Sequence, residues 1–224
     1  MIELLHINKK YGHKQVLKDI SLSAKSGECI AIVGKNGCGK STLLQIMAGI
    51  IPADSGDICY FGQEVKRNKK LFQKYCGYVP QENPLMEELT VRDNLRLWGW
   101  NYREDSRDVI QQLELQDLLN DRVDTLSGGM KRRLSIACSI LKEPPIVLLD
   151  EPTTALDFYQ KEKVHQWMNR YCKGDAIVIM ITHDESEIVT ADRCMVMMDG
   201  SLREIKDKAT RLQQIRECIM NKGE

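Results

Sequence analysis

Nine consecutive residues, Gly34-Lys35-Asn36-Gly37-Cys38-Gly39-Lys40-Ser41-Thr42, have the types and spacing needed to hold a phosphate. They fit the pattern G-x-x-x-x-G-K-[ST]. Glycines at 34, 37 and 39 let the backbone curl, so that consecutive N–H groups aim at phosphate oxygens. Lys40 reaches the β- and γ-phosphates of a nucleotide, and the Ser41 hydroxyl suits a Mg²⁺ ion. Cys38 sits inside this loop near a helix start, a place where a thiol can be acidified, so alkylating reagents are expected to reach it.

Two further groups could share that chemistry. Ile146-Val147-Leu148-Leu149 is an apolar run ending in Asp150-Glu151. The first carboxylate suits the Mg²⁺ shell and the second an attacking water. Leu126-Ser127-Gly128-Gly129-Met130 is a second glycine-rich turn directly ahead of a predicted helix, and so a second anion nest.

The elements that must position these groups follow from periodicity. Apolar runs predict strands over 2–7, 16–24, 29–33 and 56–61, with a helix after Lys40. From about 84 to 141 the chain carries Leu, Gln, Glu, Asp and Arg at helical spacing, with no strand pattern. Helices are expected from Thr90, with Thr90 and Asp93 as a capping-box variant, over 105–119 and over 131–141. Strands return at 146–149, 176–181 and 193–198, the first two apolar throughout as in a sheet covered on both faces. Helices over 159–171 and 184–191 separate them, and 207–220 is expected to form an exposed terminal helix. The whole is an α/β chain: a phosphate-loop core with a mainly parallel sheet, an antiparallel β layer near the N-terminus, and an inserted helical subdomain.

Lys+Arg and Asp+Glu balance at 32 each in a chain of 224 residues, so no global field draws it to nucleic acid. Basic runs are local, at 66–70 and 131–133, and the first is read as solvated surface. The eight cysteines are scattered, without a C-x-x-C pair or a histidine at ligand spacing, so a zinc site or disulfide frame is not expected. No secretory signal is expected from the opening residues. No apolar stretch approaches the roughly 20 residues that cross a bilayer, so a membrane role must come through a partner.

In order, a phosphate loop, L-S-G-G and a strand ending in Asp-Glu resemble the ATP-binding cassette (ABC) family, the ATP-driven motor subunits of ABC transporters. The resemblance spans residues 1 to about 205, and it implies the ABC ATPase fold with ATP and Mg²⁺ as ligands. It divides the chain into a core with a β subdomain (1–83 and 142–205), a helical subdomain (84–141) and a helical tail (206–224). By the same resemblance Tyr11 stacks on adenine, and Gly34, Asn36, Gly37, Cys38, Gly39, Lys40, Ser41 and Thr42 hold the phosphates. Ser41, Gln81 and Asp150 serve the metal, while Glu151, His183, Lys40 and Gln81 serve hydrolysis. Ser127, Gly128, Gly129 and Asp157 contact the nucleotide across a head-to-tail pair, either a homodimer or two related ATPases.

The signature departs from the family in placing Met130 where glutamine is usual, followed by Lys131-Arg132-Arg133. Family members serving export permeases often read L-S-G-G-M-[KR]-[KR]-R, so the resemblance implies export, with an integral membrane permease as partner. The ATPase would then lie at the cytoplasmic face of the membrane. The alternative is a soluble ABC ATPase of the iron–sulfur assembly type. A non-catalytic nucleotide module is disfavoured by the presence of Lys40, Asp150, Glu151 and His183 together.

Overall fold

The computed structural model describes residues 1–65, 68–101 and 107–220. Its centre is a six-stranded sheet in the order β10-β9-β3-β8-β7-β6, formed by Cys29–Val33 (β3), Cys76–Val79 (β6), Ile146–Asp150 (β7), Ile177–Ile181 (β8), Arg193–Met198 (β9) and Ser201–Ile205 (β10). β10 pairs antiparallel to β9, and every other pairing is parallel. A second, antiparallel sheet runs β2-β1-β4-β5, from Ile2–Tyr11 (β1), Lys14–Ala24 (β2), Ser55–Tyr60 (β4) and Gln63–Glu64 (β5). The α/β architecture expected from the sequence is therefore present.

Strand alternation sorts the core into two halves. Ile30, Ile32, Ile146, Leu148, Ile177 and Ile179 point to one face of the parallel sheet. There they meet helix α1 (Lys40–Met47) and the inner side of the antiparallel sheet. Ala31, Val147, Leu149, Val178 and Met180 point to the other face, against the helices. Each buried aliphatic side chain contributes about 1.5–3 kcal/mol, so both faces of each central strand must be apolar.

The segment between β6 and β7 holds α3 (Val91–Leu97), α4 (Arg107–Gln112), two single 3₁₀ turns and α5 (Gly128–Ile140). Thr90 caps α3 as expected: its hydroxyl accepts the Asp93 N–H at 3.1 Å and donates to the Asp93 carboxylate at 2.7 Å. Beyond β7 the order is α6 (Phe158–Lys173), β8, α7 (Glu185–Thr190), β9, β10 and α8 (Arg211–Met220).

Some expectations fail. The single helix over 105–119 breaks after Gln112, because Glu114 adopts a left-handed φ of 51°. Arg133 donates to the Leu113 carbonyl there, which satisfies an acceptor at the break. Residues 105 and 106 of that expected helix lie outside the described residues, as do 66 and 67 of the first basic run. The terminal helix α8 is docked and not simply exposed. Arg211 and Ile215 are buried, with Arg211 donating to the Ile188 and Ala191 carbonyls at 2.8 Å. Helix α2 (Lys69–Tyr75) and strands β5, β6 and β10 had no expectation from the sequence. β6 is four residues long with a glycine at its centre, and β10 alternates too weakly to register.

Candidate nucleotide site

The parallel sheet contributes to the site from the carboxyl ends of its strands. Gly34 follows β3, Pro80 and Gln81 follow β6, Glu151 follows β7, and Thr182 and His183 follow β8. The ends are held level, with the Thr182 N–H on the Ile32 carbonyl at 3.2 Å and the Glu151 N–H on the Ile181 carbonyl at 3.0 Å. In open α/β sheets this edge is where ligands bind.

The loop after β3 wraps an open cavity of about 450 Å³. Asn36, Gly37, Gly39, Lys40, Ser41 and Thr42 line it, joined by Tyr11, Lys14, Val16, Gln81 and Glu151. Gly37 and Gly39 hold φ values of 73° and 111°, which only glycine adopts without cost. Gly34 is needed for a different reason: a Cβ there would stand 2.4 Å from the Met197 carbonyl oxygen. Lys40 opens α1 with only 6% of its surface exposed. Its ammonium donates to the carbonyls of Gly34 at 2.7 Å and Lys35 at 3.0 Å, so it spans the loop from within.

Asp150 is buried beneath the loop and hydrogen-bonds to Ser41, and burial raises its carboxyl above the usual range. A hydroxyl, a buried carboxylate and the amide oxygen of Gln81 form a hard oxygen set, which fits Mg²⁺. A divalent cation would also favour the ionised form that burial opposes.

Glu151 turns out of the strand at a left-handed φ of 49°, which aims its carboxylate into the cavity. That carboxylate accepts from Gln81 Nε2 at 3.1 Å and from Thr154 Oγ1 at 3.0 Å. His183 Nε2 lies 3.6 Å from its other oxygen. His183 does not itself line the cavity and is half exposed.

Several expected residues stand elsewhere. The side chain of Cys38 is absent from the nucleotide cavity; it lines a separate space of about 120 Å³ with Met198, Asp199, Cys218 and Ile219. The side chain turns back toward the core, against which it packs partly buried. Ser127 caps α5, its hydroxyl accepting the Met130 N–H at 3.3 Å. Asp157 caps α6 by accepting the Gln160 N–H at 2.9 Å. Neither these two nor Gly128 and Gly129 line the cavity of their own chain. Gly128 faces open space, whereas a Cβ on Gly129 would meet the Gln160 side chain at 2.5 Å.

Lys14, Val16, Thr154 and Arg132 were not foreseen at the site. Arg132 was hidden in a basic triplet, and no local pattern distinguishes it from its neighbours. Every position from 132 to 138 of α5 is buried, so the helix is enclosed on all sides and takes Arg132 and Arg133 with it, while Lys131 pairs with Glu87 at 2.7 Å.

A parallel sheet with a phosphate loop after its β3 strand, an acidic strand end beside it and an antiparallel β layer define a P-loop nucleotide-binding cassette. A family model described as "ABC transporter" matches residues 17–154. The sulfate/thiosulfate import ATP-binding protein CysA of Pectobacterium atrosepticum is 36% identical over 217 residues, covering 91% of this chain and 66% of that protein. The linearmycin resistance ATP-binding protein LnrL of Bacillus subtilis is 31% identical over 216 residues, covering 93% of this chain and 70% of its own length. Among solved structures, the dimeric post-hydrolysis state of the ATP-binding cassette MJ0796 bound to ADP and Pi superposes with a TM-score of 0.81 at 28% identity, covering 92% of this chain and 98% of that one. The chain belongs to the ABC transporter family, as its ATP-binding, ATP-hydrolysing cassette. It spans about two thirds of the length of the two curated relatives.

Proposed function

We propose that this cassette powers export by a separate membrane permease, through ATP-driven pairing of two cassettes. One observation carries the reading: the chain has two glycine-rich turns at helix starts, and only one of them lines its cavity. A head-to-tail pair gives the second turn a role, since Ser127, Gly128 and Gly129 of one copy then cap the triphosphate held by Gly34–Thr42 of the other. Asp157, exposed at the start of α6, would add a further contact across the pair. A shared ligand favours the closed pair only while both turns bind it, so hydrolysis releases the pair.

Within one site the residues divide the work. Tyr11 offers an exposed ring to the purine, and Lys40 with the loop amides holds the phosphates. Ser41, Gln81 and Asp150 would hold Mg²⁺, which when bound supplies charge neutralisation of the phosphate oxygens. Glu151 accepts the proton of the attacking water, with Gln81 and Thr154 orienting its carboxylate and His183 beside it. Catalysis is otherwise positioning and fixed charge.

The export direction rests on Met130-Lys131-Arg132-Arg133 and on likeness to a resistance ATPase, although an import ATPase is also similar. Among the described residues no helix is long and apolar enough to cross a membrane, so a permease at the cytoplasmic membrane face would supply the path. The permease would dock in the groove between the core and the helical block read over 84–141, near Gln81–Thr90. The test is Mg²⁺-dependent phosphate release by the purified chain, together with recovery of an integral membrane protein from detergent extracts. Phosphate release without any membrane partner would favour the soluble iron–sulfur alternative, and no release would refute the ATPase reading.

A further inference from the structure

Arg132 sits on α5, five residues after Ser127, with only 4% of its surface exposed. Its guanidinium makes no ion pair among the described salt bridges and instead gathers main-chain carbonyls from two strand ends. Nη1 donates to the Pro80 carbonyl, to that of Gln81 at 3.3 Å and to Asn83 Oδ1 at 3.4 Å. Nη2 donates to the carbonyls of Asp150 at 2.7 Å and Glu151 at 3.1 Å, and Nε to that of Pro152 at 3.0 Å. The Pro80 and Gln81 carbonyls lie just beyond β6, and those of Asp150, Glu151 and Pro152 at the last residue of β7 and just past it, so one rigid fork joins the two strand ends. Burial draws the guanidinium down to about 10, with Asp150 and Glu151 pushing it back up, and it stays protonated.

We propose that Arg132 is a positioning residue that ties the Ser127 turn to the Gln81–Glu151 pair of its own chain. Gln81 and Glu151 emerge from the two segments the guanidinium clasps, and their 3.1 Å contact depends on how those segments are registered. α5 is a continuous helix from Gly128 to Ile140, so a displacement at Ser127 moves Arg132 with it. Seating the Ser127 turn on a nucleotide held by the partner copy therefore adjusts Glu151 in the first copy, and each site reports to the other. This inference rests on the head-to-tail reading above, and it adds the residue that links the two sites.

The experiment compares Arg132→Lys and Arg132→Met with the unaltered chain. Lysine keeps the charge but cannot fork to both segments as a guanidinium does, and methionine keeps the length alone. Expected are kcat values reduced at least tenfold for lysine and further for methionine, per ATP-binding-competent molecule. ATP Kd should stay within about threefold, and ATP-driven pairing should persist when each change is combined with Glu151→Gln. Combining Ser127→Ala with Arg132→Met should slow turnover little more than the more severe single change, because both break one route. A kcat within twofold of the unaltered chain overturns the proposal, and so do multiplying effects in the double variant. Failure of both Arg132 variants to fold would assign the residue to the scaffold alone and overturn it as well. An unaltered chain that releases no phosphate would instead refute the ATPase reading on which the proposal stands.

Discussion

Gln81 and Glu151 stand 70 residues apart in the chain, and Gln81 Nε2 donates to Glu151 Oε2 at 3.1 Å. The amide leaves the end of β6 and the carboxylate the end of β7, two strands paired in register from Cys76↔Ile146 to Val79↔Leu149. The contact orients a carboxylate toward the cavity and links the loop before the helical segment to the hydrolytic centre. It also explains why a polar residue with both a donor and an acceptor is useful at position 81.

The Glu151→Gln variant should fold normally, since an amide fills the same volume and still accepts from Gln81 and Thr154. It should bind ATP and accumulate as a pair while turnover falls between about a hundred- and ten-thousand-fold, the range a general base contributes. Phosphate release and size-exclusion chromatography with ATP read both outcomes. Turnover at the ordinary rate would remove Glu151 from the base role.

Met86 is the probe of choice for the permease contact. It is 56% exposed, with Leu89 exposed beside it. The buried Asn94 clamps its main chain, accepting the Met86 N–H at 2.8 Å and donating to its carbonyl at 2.9 Å. An apolar tip on a fixed loop suits a docking helix. Met86→Asp should abolish permease-coupled transport and leave basal ATP hydrolysis within about twofold, because solvent already surrounds the side chain. Leu85→Asp should do the same with an added loss of thermal stability, since Leu85 packs partly into the core. Retained transport in both would move the interface elsewhere.

Alkylation of Cys38 should inhibit ATP turnover, although its sulfur faces away from the nucleotide cavity. The small space it shares with Met198 and Cys218 is about 120 Å³, so an added group must displace the phosphate loop above it. Inhibition by N-ethylmaleimide should vanish in Cys38→Ala, which keeps turnover close to that of the unaltered chain. Equal sensitivity in that variant would point to another of the free thiols.

His165 predicts a pH dependence of stability. Its imidazole bonds to the buried Glu187 at 3.0 Å, which raises its pKa, while burial opposes the rise and nearby Asp184 and Glu162 add to it. Glu187 also accepts from Thr153 at 2.8 Å and from Thr182, so the network braces the segments after β7 and β8. With the folded value above the unfolded one, the protonated pair contributes fully below about pH 6.5 and is lost as pH rises through the raised folded value. The Tm gap between the unaltered chain and His165→Gln should be wide near about pH 6 and narrow by about pH 9. A gap that widens with pH would contradict the pairing.

The amino-acid order alone determined the phosphate loop, the acidic end of β7, the capped turn at Ser127 and the central strands. Each is a local pattern: glycine spacing, an apolar run of strand length, or a cap residue ahead of a helix. Tertiary structure decided what local pattern cannot carry. It turned Cys38 away from the nucleotide cavity, broke the helix expected over 105–119 at Glu114, and docked α8 through Arg211. It also buried Arg132 against carbonyls 18 to 52 residues away, a placement that a run of three basic residues left open. Distant acceptors at strand ends have no signature in sequence. Only the packed sheet brings them within reach of one side chain.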